Sequence, residues 1–237
     1  MTSTNDDLVR GATAMALGLL PDVVSDLVQL KRVGAHPASL VVKLHKTLDG
    51  AIAAASQKVD CKSGCSYCCH YRVIASAAEI LTIAGFIHKL ALNEQTRVVK
   101  RLRANASATA GLSARQHEST NVECALLQDN KCLAYDVRPF ACRRHHSMNV
   151  AACKETFDDP QSPAQNIQSV ERLAVAAGVI NAHAAGSVRA GLDSNIYELG
   201  AALFVAMTDA SSVARWKRGK VTFPAVRDHQ EFSEAWS

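Results

Sequence analysis

No uninterrupted apolar stretch in this chain approaches the ~18 residues that a membrane-spanning helix needs. Even the alanine-rich segments are broken by Glu171, Arg172, Asn181, His183 and Arg189. The expectation is a soluble protein with no membrane span. There is also no glycine-rich phosphate loop, no repeat of fixed period and no alternation of strands with helices, which turns the reading away from nucleotide-binding α/β folds and solenoids. No secretion signal is expected either. Arg10 precedes an apolar run from Gly11 to Leu20, but Asp6 and Asp7 spoil the leading charge, and Pro21 and Asp22 stand where small cleavage-site residues belong. The expected location is cytoplasmic. Net charge is equally scarce: +4, without a basic stripe, gives nucleic acid little to recognise.

What is present is a good supply of core and eight cysteines. With 48% hydrophobic residues, a chain of 237 residues can bury a core without disulfides. In a reducing cytosol eight cysteines then read as metal ligands or redox groups.

Helical periodicity covers most of the chain, so the fold class is mainly α: a helical domain holding two cysteine-rich metal-binding loops and a small two-stranded ribbon. From Pro37, the residues Val41, Leu44, Leu48, Ile52, Ala55 and Val59 recur at helical spacing up to the first cysteine. Ser76 and Glu79 form a capping box ahead of Ile80, Ile83, Ala84 and Ile87. Asn93 is placed to cap a helix reaching about Ala110. Ser162, Pro163 and Gln165 predict the start of a long helix through Ile167, Val170, Leu173, Ala177 and Ile180. Asp193 or Ser194 starts another, with Ile196, Leu199, Leu203 and Met207, and Asp22 to Leu30 is helical too. Between Ala125 and Tyr135, short apolar pieces flank Asp129-Asn130, which tolerate the left-handed backbone of a tight hairpin. The expected organisation is one helical domain over 1–210, with a cysteine module at 61–72 and 122–155, and a polar tail over 211–237.

The first cysteine group is Cys61-Lys-Ser-Gly-Cys65-Ser-Tyr-Cys68-Cys69, four thiols in nine residues, spaced so that one loop can fold its ligands around a centre. The second is looser. Cys124 and Cys132 flank the ribbon, Cys142 follows Arg138-Pro139-Phe140-Ala141, and Cys153 lies further on. Scattered cysteines are often just small buried hydrophobes, but four packed into one polar loop do not fit that pattern. In an extended segment, the neighbours Cys68 and Cys69 point to opposite sides, so a single ion is not expected to take both. Two metal positions, or a cluster plus a separate thiol, then follow as the simplest accounts; on the first, Cys61, Cys65 and Cys68 share a centre with one distal cysteine and Cys69 joins the rest of the second group. Lys131, Arg138, Arg143, Arg144 and Lys154 against the single acid Asp136 supply the positive charge that a thiolate centre calls for. His70 and the Cys142-x2-His145 spacing add possible imidazole ligands.

The run Cys61-x3-Cys65-x2-Cys68-Cys69, followed by Cys124 and then Cys132-Leu-Ala-Tyr-Asp-Val-Arg138-Pro139-Phe-Ala-Cys142-Arg143, resembles the YkgJ-like cysteine-cluster family. The resemblance spans Cys61 to Cys153, the last cysteine matching a variant with a further cysteine downstream. It departs from the family where Arg144-His145-His146 stands in place of an aromatic residue and proline. It implies chelation of zinc or iron, as a mononuclear ion or an iron-sulfur cluster, by Cys61, Cys65, Cys68, Cys69, Cys124, Cys132, Cys142 and Cys153. Flagellin lysine methylases, more distant relatives of that family, use similar motifs with an iron-sulfur cluster, which makes a methyltransferase-like enzyme acting on protein the alternative.

Two other readings carry less. Cys61-x3-Cys65-x-Tyr67-Cys68 also resembles the signature of radical S-adenosylmethionine enzymes, but those set it after the first strand of a βα barrel, and here an amphipathic helix precedes it. Nucleic-acid binding would rest on the ribbon and on Arg215-Trp216-Lys217-Arg218, a short basic run of the kind that is usually solvated.

Overall fold

The computed structural model describes residues 5–226 apart from 56 and 63, and helices make up most of it. The first, α1 (Asn5–Val33), is far longer than the expected Asp22 to Leu30. It runs straight through the apolar segment before Pro21, whose missing N–H does not end it. By length and composition α1 is apolar enough to cross a membrane, which the broken apolar runs did not suggest, yet Leu20, Val23 and Leu27 are buried inside the protein. They face α8 (Val170–Arg189), the partner α1 contacts along most of its length. Close approach depends on glycine: a Cβ at Gly186 would lie 2.6 Å from Val23 Cγ1, and one at Gly178 2.9 Å from Met15 Cβ.

α2 (Ala38–Ala54) buries Leu40, Val41, Leu44, His45 and Leu48 and stops at Ala54, short of the expected end near Val59. The capping box at Ser76 forms as expected and starts α3 (Ala77–Ile87), which is buried almost all round. α4 (Leu92–Thr109) begins one residue before Asn93, whose side chain accepts from Glu94 N at 2.9 Å. A second capping box, Ser113 with Gln116, opens the short α5 (Ala114–Glu118).

The ribbon lies where the hairpin signal put it. β2 (Leu127–Gln128) pairs with β3 (Lys131–Cys132), and Asp129 and Asn130 take φ of 49° and 58°. Another antiparallel pair was not foreseen: β1 (Ile74–Ser76) pairs with β4 (Ile196–Glu198), with Ala75 opposite Tyr197. Ile196 is therefore in a strand, and α9 (Leu199–Thr208) starts after it, capped by Glu198. Asp193 does not cap this helix; it accepts from Tyr197 Oη at 2.5 Å and Thr222 N at 2.7 Å.

Two further expectations are corrected. Ser162 does not start a helix: α8 begins at Val170, capped by Ser169, and Ile167 is 59% exposed. The polar tail does not begin at Ser211 either, because α10 (Ser212–Lys217) packs inward, with Trp216 and Phe223 buried. Average composition hid two large apolar anchors among charged neighbours. Arg215 adds to the packing by pairing with Asp209 at 2.6 Å and donating to Thr222 O at 2.8 Å. Residues 227–237 of the expected tail lie outside the described residues.

Candidate metal centre

Gly64, at a φ of 89° that favours glycine, turns the first cysteine loop. Cys65 N donates to Lys62 O at 3.1 Å, and a 3-10 turn (Tyr67–His70) then carries Cys68 and Cys69. The turn overturns the expectation of an extended segment there. Its backbone curls, so the vicinal thiols hydrogen-bond each other instead of parting. That bond, aided by the Arg138 guanidinium, pulls Cys68 down to about 7 against the cost of burial. The same bond and burial push Cys69 up.

The second segment folds over this turn. Cys124 N donates to Cys69 O at 2.8 Å, and Ser66 Oγ donates to Asn130 Oδ1 at 3.1 Å, docking the ribbon on the first loop. Cys142 sits on α6 (Phe140–Arg144). Glu79, wholly enclosed, accepts from Phe140 N at 2.6 Å, while Arg143 Nη1 meets Asp49 Oδ2 at 2.5 Å. Cys153 is buried on α7 (Val150–Asp158), whose start is capped by Asn149. Phe157 of α7 packs on Tyr67 and His70, at 5.6 and 4.7 Å between ring centres. Asp60 N donates to Ser147 O at 2.9 Å and Ser147 N to Cys61 Sγ at 3.1 Å, joining the two ends of the module.

Charge repulsion between thiols reveals how they are grouped. The ionisation of Cys61 is opposed by Cys65, Cys68 and Cys153, and that of Cys65 by Cys68 and Cys153. Cys69 is opposed by Cys68, Cys124 and Cys142, and Cys142 by Cys124, Cys132 and Cys68. Cys61, Cys65 and Cys153 thus fall on one side and Cys69, Cys124, Cys132 and Cys142 on the other, while Cys68 acts on Cys61 and Cys65 and also on Cys69, Cys132 and Cys142. Burial raises most of these thiols, taking Cys124 to about 11.

Other groups favour the thiolate. Backbone N–H groups two residues on bond to Cys65, Cys124 and Cys132 from Tyr67, Leu126 and Ala134, and Arg138 acts on Cys68, Cys132 and Cys142. Sulfur donors supported in this way suit zinc and iron by their chemistry. Both sides are open: among the described residues no three His, Cys, Asp or Glu side chains converge closely enough to hold an ion.

The histidines are turned to other uses. His70 Nδ1 lies 3.2 Å from Ser66 O and its ring rests on Phe157, while His145 lies edge-on to Tyr71 with Nε2 3.4 Å from Asn166 Nδ2. Of the five basic residues in this stretch, Arg138 is the one that reaches three of the thiols. It stacks 3.7 Å over the Tyr135 ring, whereas Arg143 pairs with Asp49 and Lys154 with Asp158. Tyr71, close to Cys65, Cys68 and Cys153, escaped sequence reasoning because nothing in its spacing marks it, and the backbone bond from Ser147 to Cys61 was not foreseen. The nucleic-acid reading loses its anchor, since Trp216 is 1% exposed and Arg215 is ion-paired.

Residues 60–168 match one family model, CxxCxxCC, described as "Putative zinc- or iron-chelating domain". No curated protein and no solved structure matches the chain.

Proposed function

We propose, from the premise that residues 60–168 belong to a zinc- or iron-chelating family, that this protein binds zinc or iron at two thiolate centres. Cys61, Cys65, Cys68 and Cys153 hold the first; Cys69, Cys124, Cys132 and Cys142 hold the second. The observation that carries this reading is that the fold brings the two cysteine segments together, Cys124 N donating to Cys69 O at 2.8 Å and Ser147 N to Cys61 Sγ at 3.1 Å; the mutual effects of the thiols support the division into two sets. A bound ion or cluster supplies the positive charge that lets several thiolates share one space. The chain's part is to orient the sulfurs: Ser147 N fixes Cys61, backbone N–H groups fix Cys65, Cys124 and Cys132, and Arg138 offsets negative charge between the two sets. A reducing compartment keeps all eight thiols free for this use.

Elemental analysis and visible spectra of oxygen-free protein test the reading. Cys65→Ser should empty the first centre and spare much of the second, and Cys142→Ser should do the reverse, because serine is a poor substitute for a soft anionic ligand. Cys68, within reach of both groups, should reduce both when changed. Folded protein that takes up neither metal would overturn the proposal, and identical losses from Cys65→Ser and Cys142→Ser would replace two centres with one shared cluster.

A further inference from the structure

The first cysteine group runs from exposed Cys61 to buried Cys153, whereas all four cysteines of the second are half-buried. Burial still drives the Cys124 and Cys142 thiols upward. A cleft bordered by α4, α5 and the β4–α9 junction opens from the surface onto Cys124. Its apolar floor includes Leu102 and Leu203, and its polar groups include Asn105, Thr109, His117 and Glu198.

We propose that this cleft is the route by which a divalent metal ion passes from solvent to the second cysteine group, with His117 and Glu198 as its transient ligands. The inference rests on the metal-binding reading above. His117 is held on α5 by the Ser113–Gln116 capping box, and no hydrogen bond to its ring is found among the described residues. It is 7% exposed, and burial lowers its pKa, so the ring is a neutral donor. Glu198 is fixed by accepting from Gly200 N at 2.9 Å and Ala201 N at 2.6 Å, and its charge reaches both His117 and Cys124. An imidazole and a carboxylate are common zinc ligands, and two donors are too few for a closed site of about four. They suit a step at which the ion exchanges water for protein donors before meeting the half-buried thiols.

The test uses the full chain, stripped of metal without oxygen and mixed rapidly with Co²⁺, whose thiolate absorption reports loading. The wild type should fill in a fast and a slow phase, the slow one belonging to the second group. His117→Gln should slow that phase about tenfold, the scale on which loss of one supporting group weakens metal sites, with the final absorption unchanged. His117→Cys should restore the rate, and Thr109→Trp, which crowds the cleft while leaving His117 in place, should slow it. Loading of both His117→Gln and Thr109→Trp at the wild-type rate overturns the route. Loss of Co²⁺ equivalents in His117→Gln also overturns it, making His117 a permanent ligand. A wild type that binds no Co²⁺, Zn²⁺ or iron would instead sink the metal-binding reading beneath it.

Discussion

His45 on α2 and His183 on α8 face one another across Phe140, at 5.0 and 5.7 Å from its ring centre, and both are buried. Among the described residues neither nitrogen of His45, nor Nε2 of His183, has a hydrogen-bond partner. Burial takes His45 down to about 3, with Arg143 and Arg138 adding to it, and His183 to about 4. Both folded values lie below the unfolded 6.5, so as pH falls the unfolded chain takes up protons first. Stability should therefore hold above pH 6.5 and decline from there toward pH 4, by up to about 1.4 kcal/mol per pH unit for each histidine. Urea midpoints across that range check this. His183→Leu should have the shallower acid limb, since thiol protonation and metal loss are common to both proteins, and equal slopes would count against it. The position of His45 was legible, because it falls on the same helical face as Val41 and Leu48. Its lack of a partner was not, because that depends on what α8 and α6 bring to it.

The helix starts separate local signals from the packing that realises them. Ser76-x-x-Glu79 and Ser113-x-x-Gln116 both form capping boxes. Ser162-x-x-Gln165 has the same pattern and starts no helix, because the residues after it do not present a face the core can bury; Ile167 and Val170 are exposed. Ser162 Oγ instead donates to Glu155 Oε1 at 2.6 Å, and the true cap is Ser169, whose side chain accepts from Arg172 N at 3.3 Å. Ser169→Ala should then cost about 1 kcal/mol and Ser162→Ala less than about half of that, measured by urea unfolding. The opposite ranking would restore the earlier helix start. The α1–α8 contact makes a second prediction. Gly186→Ala places a methyl 2.6 Å from Val23 Cγ1 and should destabilise by about 1–3 kcal/mol, lowering the thermal midpoint, unless the two helices can separate freely. The glycine was visible in the sequence, and so was the helix that carries Val23, but their meeting was not; the Gly178 contact with Met15 also needed the part of α1 before Pro21.

For the molecule as a whole, the cysteine loops lean on one shared helical core: α1 and α2 pack on α8, α3 packs on α2 and α9, α4 packs on α9, and β1 is tied to β4. Metal removal should loosen the cysteine loops and leave most helical circular dichroism. Limited trypsin digestion of the stripped protein should cut at Lys62 and Arg144, which are exposed, while Arg143, buried against Asp49, resists. Global unfolding on chelation would show that the metal holds the core itself. The candidate ligands were readable from spacing alone, since a clustered donor pattern is local. Their partition was only half readable, because the 3-10 turn at Cys68-Cys69 and the arrival of Cys153 on α7 are tertiary facts. The two proposed sets are also nested along the chain like brackets. Cys61, Cys65, Cys68 and Cys153 enclose Cys69, Cys124, Cys132 and Cys142. On a ribosome the inner set is complete as soon as Cys142 has emerged, and closing it shortens the outer loop that still awaits Cys153. At that moment Glu198 has not yet been synthesised, so on the proposed two-centre reading the inner set of a newborn chain would meet its metal from an open side, and the proposed route beside Cys124 would serve the adult protein, as the door through which a lost ion is replaced.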